Sequence, residues 1–162
     1  MTVFKAYPLD NSPGYLINRL ATKMNSVLHR EFKSAGYNIT AQQWAILNRL
    51  WEENGLHQSL LAERTTKNRH NVSRMITVLE KQKLIKRHPD RDDSRLQRIY
   101  LTKQGMVLRN VLVPIAQEVM NSMLKGIQKT DLKNLRQIME QMSINLDSSM
   151  NLTTTSGKSG GK

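Results

Sequence analysis

The residues best suited to chemistry in this 162-residue chain lie between positions 64 and 98. That stretch carries eleven cations, Arg64, Lys67, Arg69, Arg74, Lys81, Lys83, Lys86, Arg87, Arg91, Arg95 and Arg98, against four anions, Glu80, Asp90, Asp92 and Asp93. It therefore holds +7 of a formal net charge of +12. An excess of this size, set among amides and hydroxyls, points to an anionic polymer such as nucleic acid. Asn68, His70, Asn71 and Ser73 stand between the cations. Arginine matches guanine O6 and N7, asparagine matches adenine N6 and N7, and serine or histidine can hold a phosphate oxygen. Asp93 is placed to orient Arg95 or Arg91 through an ion pair rather than to catalyse.

The same inventory offers little to an enzyme. There is no cysteine, which removes disulfides, thiolate nucleophiles and cysteine-ligated zinc. No two of His29, His57, His70 and His88 stand in an H-x-x-x-H spacing, the one H-x-E is His29-Arg30-Glu31, and the one G-x-S-x-G, at 157–161, lies in the Thr/Ser/Gly/Lys tail. The chain is read as non-enzymatic and without a cofactor. One metal reading stays open, with His29 and Glu31 joined by a distant third ligand. No apolar run reaches the roughly 18 residues of a membrane span, and no charged segment leads into an apolar stretch at the N-terminus. The expectation is a cytoplasmic protein with no membrane partner.

The elements that must position these residues follow from periodicity. Residues 1–12, with Pro8, read as an extended arm. Leu16, Ile17, Leu20, Met24, Val27, Leu28 and Phe32 step by three and four, which predicts a helix with one apolar stripe. After Gly36, Thr40 and Gln43 form a capping box for a helix that buries Trp44, Leu47, Leu50 and Trp51. A short helix spans 59–63. Asn68 caps a longer one whose apolar stripe is Val72, Met75, Ile76 and Leu79. Runs 84–88 and 97–101 flank a turn-rich, charged loop and predict a hairpin. Thr102 caps a helix that Pro114 should kink. Thr130 caps the last helix, in which Leu132, Leu135, Met139, Met142 and Leu146 form a coiled-coil-like seam. Residues 150–162 read as a disordered tail.

A short helix, a turn, a longer helix and a hairpin make a winged helix-turn-helix. In a helix-turn-helix the second helix enters the major groove with its N-terminal residues against the bases. Here those are Asn68, Arg69, His70, Asn71, Ser73 and Arg74. The hairpin loop, with Arg91, Asp93, Ser94, Arg95 and Gln97, would act as a wing, its arginines reaching an adjacent minor groove. The fold class is mostly α with a small β-hairpin. The winged helix-turn-helix occupies 37–102, and helical regions at 13–36 and 103–148 flank it.

The chain resembles the multiple-antibiotic-resistance regulator (MarR) family of bacterial winged-helix repressors. The resemblance is carried by Leu61-Ala62-Glu63-Arg64, by Asn71-Val72-Ser73-Arg74 and by the run from Leu79 to Arg87. Asp90 to Arg95 are similar to that family's D-x-x-D-x-R wing, and Leu101-Thr102-Lys103-Gln104-Gly105 to its L-T-x-x-G. It covers roughly residues 13 to 147. It implies a homodimer built from the first and last helices, with Leu16, Leu20, Leu132, Leu135, Met139, Met142 and Leu146 at the interface. It also implies binding to pseudo-palindromic double-stranded DNA, and release by a small anionic or aromatic effector. Arg19, His29, Tyr37, Trp44 and Trp51 are the candidate pocket liners, with Arg19 suited to a carboxylate. Two positions depart from the family. Lys83 stands where glycine is usual at the end of the recognition helix, and His57 stands where a Thr or Ser cap is usual. Besides a sequence-specific repressor, a sequence-independent architectural nucleic-acid binder and a metal-responsive regulator remain as alternatives.

Overall fold

The computed structural model describes residues 8–65 and 69–155. Helix α1 (Pro13–Ser34) follows a short 3-10 turn at Leu9–Asn11, so the arm expected over 1–12 is helical in part, and residues 1–7 lie outside the described residues. Proline at the first position of α1 presets the helical φ and gives up a backbone donor that would have had no partner. Helix α2 (Ala41–Glu52) starts on the anticipated capping box. The Gln43 amide donates to Thr40 Oγ1 at 3.2 Å, and the Thr40 amide donates to Gln43 Oε1 at 2.8 Å. Strand β1 (Leu56–His57) runs directly into α3 (Gln58–Thr65), which is followed by α4 (Arg69–Lys81). Strands β2 (Ile85–Pro89) and β3 (Gln97–Leu101) form the hairpin. Helix α5 (Lys103–Met123) continues through Pro114. Helix α6 is Lys129–Thr155.

The hairpin is part of a three-stranded antiparallel sheet ordered β1-β3-β2, with Leu56 opposite Ile99, His57 opposite Arg98 and Arg87 opposite Ile99. Two residues are too few to show a strand period, so β1 was not anticipated. Val72, Ile76 and Leu79 of α4 pack against Ile46, Leu47 and Leu50 of α2 and against Leu61, Ile85 and Ile99 in one buried cluster. Phe32 of α1 and Leu108 and Leu112 of α5 join it.

Lys83 ends α4 as glycine usually would. Its φ is 58°, the Leu84 amide reaches back to the Leu79 carbonyl at 3.0 Å, and Leu84 is buried. This is the left-handed helix end in which a hydrophobic contact follows the reversed residue. It also moves the start of the strand from 84 to 85. The glycine of L-T-x-x-G has a steric reason here, since a Cβ at Gly105 would lie 2.0 Å from the Leu84 carbonyl oxygen. That carbonyl and Lys83's accept hydrogen bonds from Thr102, whose Oγ1 also caps α5 through the Gly105 amide at 3.1 Å.

Two expectations are corrected at the C-terminal end. The first turn of α6 closes with the Leu132 amide on the Gln128 carbonyl at 3.2 Å, so Gln128 occupies the cap position and Thr130 lies inside the helix. The helix also runs past 150 to Thr155, because extending a formed helix adds one hydrogen bond per residue without a new nucleation cost. The chain divides into two units, Met1–Met120 and Asn121–Lys162.

Candidate nucleic-acid interface

Helix α4 places its residues in two opposed sets. Val72, Ile76 and Leu79 are fully buried, while His70, Asn71, Arg74 and Val78 are exposed. Asn68 lies outside the described residues, and Arg69 opens the helix. Ser73 is half-buried, and its carbonyl accepts from Thr77 Oγ1 at 3.0 Å. Asn71 and Arg74 border an open groove of about 350 Å³, whose other wall is Thr40, Gln42 and Gln43 at the start of α2.

The wing holds its cations with carboxylates. Asp93 Oδ1 accepts from the Arg95 amide at 3.0 Å and from Arg95 Nε at 2.9 Å, and Asp93 Oδ2 accepts from Arg95 Nη2 at 3.0 Å. This bidentate grip, with the Arg95 amide behind it, pulls the Asp93 carboxyl below its ordinary range and raises Arg95. The expected ion pair therefore goes to Arg95; Arg91 and Ser94 are exposed at the tip, and Gln97 is half-buried opposite Pro89.

Sequence reasoning missed the wing's base. Asp90 is buried and accepts hydrogen bonds from Arg98 Nε, from the Asp92 amide at 2.8 Å and from the Asp93 amide at 3.2 Å. Its carboxyl is lowered to about 2, mainly by the Arg98 guanidinium and then by those two amides. Arg98 also donates to the Gly55 carbonyl at 3.0 Å, and His57 Nε2 lies 3.4 Å from Asp90 Oδ2. One carboxylate thus ties the wing loop to the strand that leads into α3. The D-x-x-D spacing could have flagged Asp90, but nothing in the sequence assigns it Arg98 as a partner.

The candidate pocket liners are not assembled as expected. The Trp44 and Trp51 rings pack edge to face at 5.5 Å, Trp44 lies 5.4 Å from Phe32, and Trp51 Nε1 donates to the Gly105 carbonyl at 2.8 Å. They fill the space between α1, α2 and α5 because that is where large apolar rings lose most water. His29 Nδ1 lies 2.9 Å from the Ile39 carbonyl, which places the ring proton on Nδ1. Arg19 lies elsewhere on α1, beside Tyr15, Asn18, Thr22 and Lys23. Of the set only Tyr37 borders the larger cleft, about 490 Å³, formed with Ile39, Gln82, Leu84, Lys103, Val107, Leu108 and Val111. Within it Gln82 Oε1 is buried and has no hydrogen-bond partner among the described residues.

The open metal reading gains nothing here. Glu31 is paired with Arg30 at 2.8 Å, and the described residues contain no group of three or more His, Asp or Glu able to hold a metal ion. No helix among the described residues is long and apolar enough to cross a membrane.

Residues 37–96 match the model of the MarR family. Over that segment the chain is similar to MarR-family transcriptional regulators. Regulators of this family are DNA-binding proteins rather than enzymes. The matched segment covers the helix-turn-helix and the wing and stops before the Gln97–Leu101 strand closes the sheet. Over 131 residues the chain is 24% identical to an uncharacterized HTH-type transcriptional regulator, YybA, of Bacillus subtilis, covering 81% of this chain and 86% of the relative. The MepR–DNA complex of S. aureus superposes with a TM-score of 0.75 at 23% identity, over 83% of this chain and 98% of that one. Bordetella bronchiseptica BpsR, whose DNA binding is regulated by 6-hydroxynicotinic acid, superposes with a TM-score of 0.76 at 21% identity, over 86% and 98%. The MarR-type fold accounts for the three-stranded sheet as well as for the hairpin.

Proposed function

We propose that the chain acts in the cytoplasm as a homodimeric, sequence-specific repressor that leaves pseudo-palindromic operator DNA when a small ligand binds. The observation that carries this reading is the division of α4. One side is wholly buried, so the helix cannot roll freely, and the other offers His70, Asn71 and Arg74 to a groove. Arg69, which opens the helix, extends the same reading set, and the sequence adds Asn68 just before it. Arg91, Ser94, Gln97 and the clamped Arg95 serve the wing's contact, with Asp93 as the clamp.

A dimer is supported by apolar side chains that the single chain leaves in water. Leu16 and Leu20 of α1 are exposed, and so, separately, are Leu135, Met139 and Leu146 of α6, with Leu132 and Met142 half-covered on the same seam. Patches of this kind mark interaction surfaces. Ligand control is supported by the cleft at Tyr37. The Lys103 ammonium suits a carboxylate, the Tyr37 ring suits an aromatic face, and Gln82 follows directly on the recognition helix. The MepR–DNA complex and the regulation of BpsR by 6-hydroxynicotinic acid give DNA binding and ligand control precedent in proteins of this fold.

The test is selection of fragmented genomic DNA by the purified protein at about 150 mM salt. A few fragments sharing an inverted repeat, with half-sites about one helical turn apart, are expected. Retention of all fragments alike would favour an architectural binder, since base readout leaves a preference of about 10³ or more over non-specific DNA.

A further inference from the structure

Arg87 occupies an inward position of β2. Strand side chains alternate between faces, and buried Ile85 and half-buried Arg87 share one face while Lys86 and His88 are exposed. A guanidinium on the inner face of a strand is costly unless acceptors meet it. Here α4 supplies them to the two terminal nitrogens, while Nε is buried with no hydrogen-bond partner among the described residues. Arg87 Nη2 donates to Thr77 Oγ1 at 2.7 Å and more distantly to the Ser73 carbonyl at 3.5 Å. Arg87 Nη1 lies 3.6 Å from Glu80 Oε2, and the Arg87 amide donates to Glu80 Oε1 at 3.1 Å. Ser73, Thr77 and Glu80 are spaced by four and three, so they form one stripe along the flank of α4, between its buried face and the side that carries Arg74.

We propose that Arg87 is a positioning residue for base readout: it sets the roll of the recognition helix and ties that roll to the wing. The inference rests on the reading of α4 as the base-contacting helix. The apolar stripe of Val72, Ile76 and Leu79 holds α4 against the core, but hydrophobic contact is non-directional and tolerates small rotations. Hydrogen bonds from a planar guanidinium are directional. On a helix whose side chains reach about 5–6 Å from the axis, a roll of about 15° moves a side-chain tip by about 1.5 Å. That is enough to break a bidentate contact between Arg74 and a base edge. Because Arg87 is paired with Ile99 in the sheet, the same residue fixes the hairpin relative to α4. Arg87 is half-buried against α4, so its effect is separable from that of the exposed residues proposed to meet the bases.

The experiment compares the wild type with Arg87→Met and Thr77→Val on two duplexes at about 150 mM salt: one recovered in the genomic selection, and one of the same composition scrambled. Circular dichroism and light scattering establish that each variant is folded and in the wild-type oligomeric state. The ratio of the two affinities should fall about tenfold in Arg87→Met, as for loss of a charge-assisted hydrogen bond, and by less in Thr77→Val. Affinity for the scrambled duplex and its salt dependence should stay as in the wild type. In an Arg74→Ala background, Arg87→Met should lower the ratio by less than it does in the wild type, because one of the readers whose setting it controls is gone. If Arg87→Met fails to fold, Thr77→Val alone decides. An unchanged ratio in folded variants, with only the melting temperature lowered, would make Arg87 a structural brace and overturn the inference. So would two effects that simply add. A wild type without any preference between the duplexes overturns the base-readout reading and this inference with it, whereas a wild-type preference that survives in the variants overturns this inference alone.

Discussion

Helices α4 and α6 carry the same kind of apolar stripe and meet opposite fates. Val72, Ile76 and Leu79 of α4 are 0% exposed, while on α6 Leu135 is 51%, Ile138 57% and Leu146 64% exposed. Spacing by three and four tells a side chain's neighbours on its own helix but not where the stripe finds cover. For α4 the cover is α2, α3 and the sheet, all between Ala41 and Leu101, so this part of the chain covers its own stripe. For α6 the unit that contains it offers no such cover, and a second copy of the chain is the proposed one. One chain thus combines a stripe that finds its cover within the chain with one left exposed.

Breaking the assembled side should have the largest effect. Leu135→Asp with Met139→Asp should give monomers by light scattering and lower affinity for the selected duplex a hundredfold or more, the usual loss when two linked half-sites become one. A double variant that remains dimeric would place the interface elsewhere. Next in size, Ile76→Ala should destabilise the fold by about 2–5 kcal/mol in denaturant titrations, at any protein concentration. Ile138→Ala provides the contrast, since its cost should depend on protein concentration if a partner copy covers it. Equal, concentration-independent costs would erase the distinction between the two helices.

On α4, under the proposed base readout, Arg74→Ala should weaken binding by about 1–3 kcal/mol and relax preference at one base position, as measured on singly substituted duplexes. Uniform weakening on every duplex would reduce Arg74 to a phosphate contact. Lys83→Gly should raise thermal stability by about 1 kcal/mol, because a side chain at a φ of 58° is strained where glycine is not. The last effect is confined to acid. Asp90's carboxyl is held at about 2, below the ordinary 3.8, so its contribution to the wing is complete above 3.8 and lost as the pH falls through about 2. The Asp92 and Asp93 amides, followed by NMR, should keep their hydrogen-bonded shifts down to that window, and Asp90→Asn should remove the dependence. Movement of those amides near neutral pH would show that Arg98 does not hold the carboxylate.

Local features of this fold could be read from the chain itself. The Thr40–Gln43 capping box, the Thr102 cap, the stripe of α4 and the hairpin depend on residues three, four or two apart, and short-range geometry alone decides them. The positive charge around α4 and the wing and the Asp93–Arg95 pair belong to the same class, the pair because its members stand only two residues apart. Contacts between elements could not be read in this way. Asp90 with Arg98 and His57, Arg87 with Thr77, Trp51 with Gly105, and the two-residue β1 all join elements across a sheet register or a helix roll. Those settings come from packing the whole core at once, because hydrophobic burial chooses the arrangement and directional polar groups then find whichever partners it brings within reach.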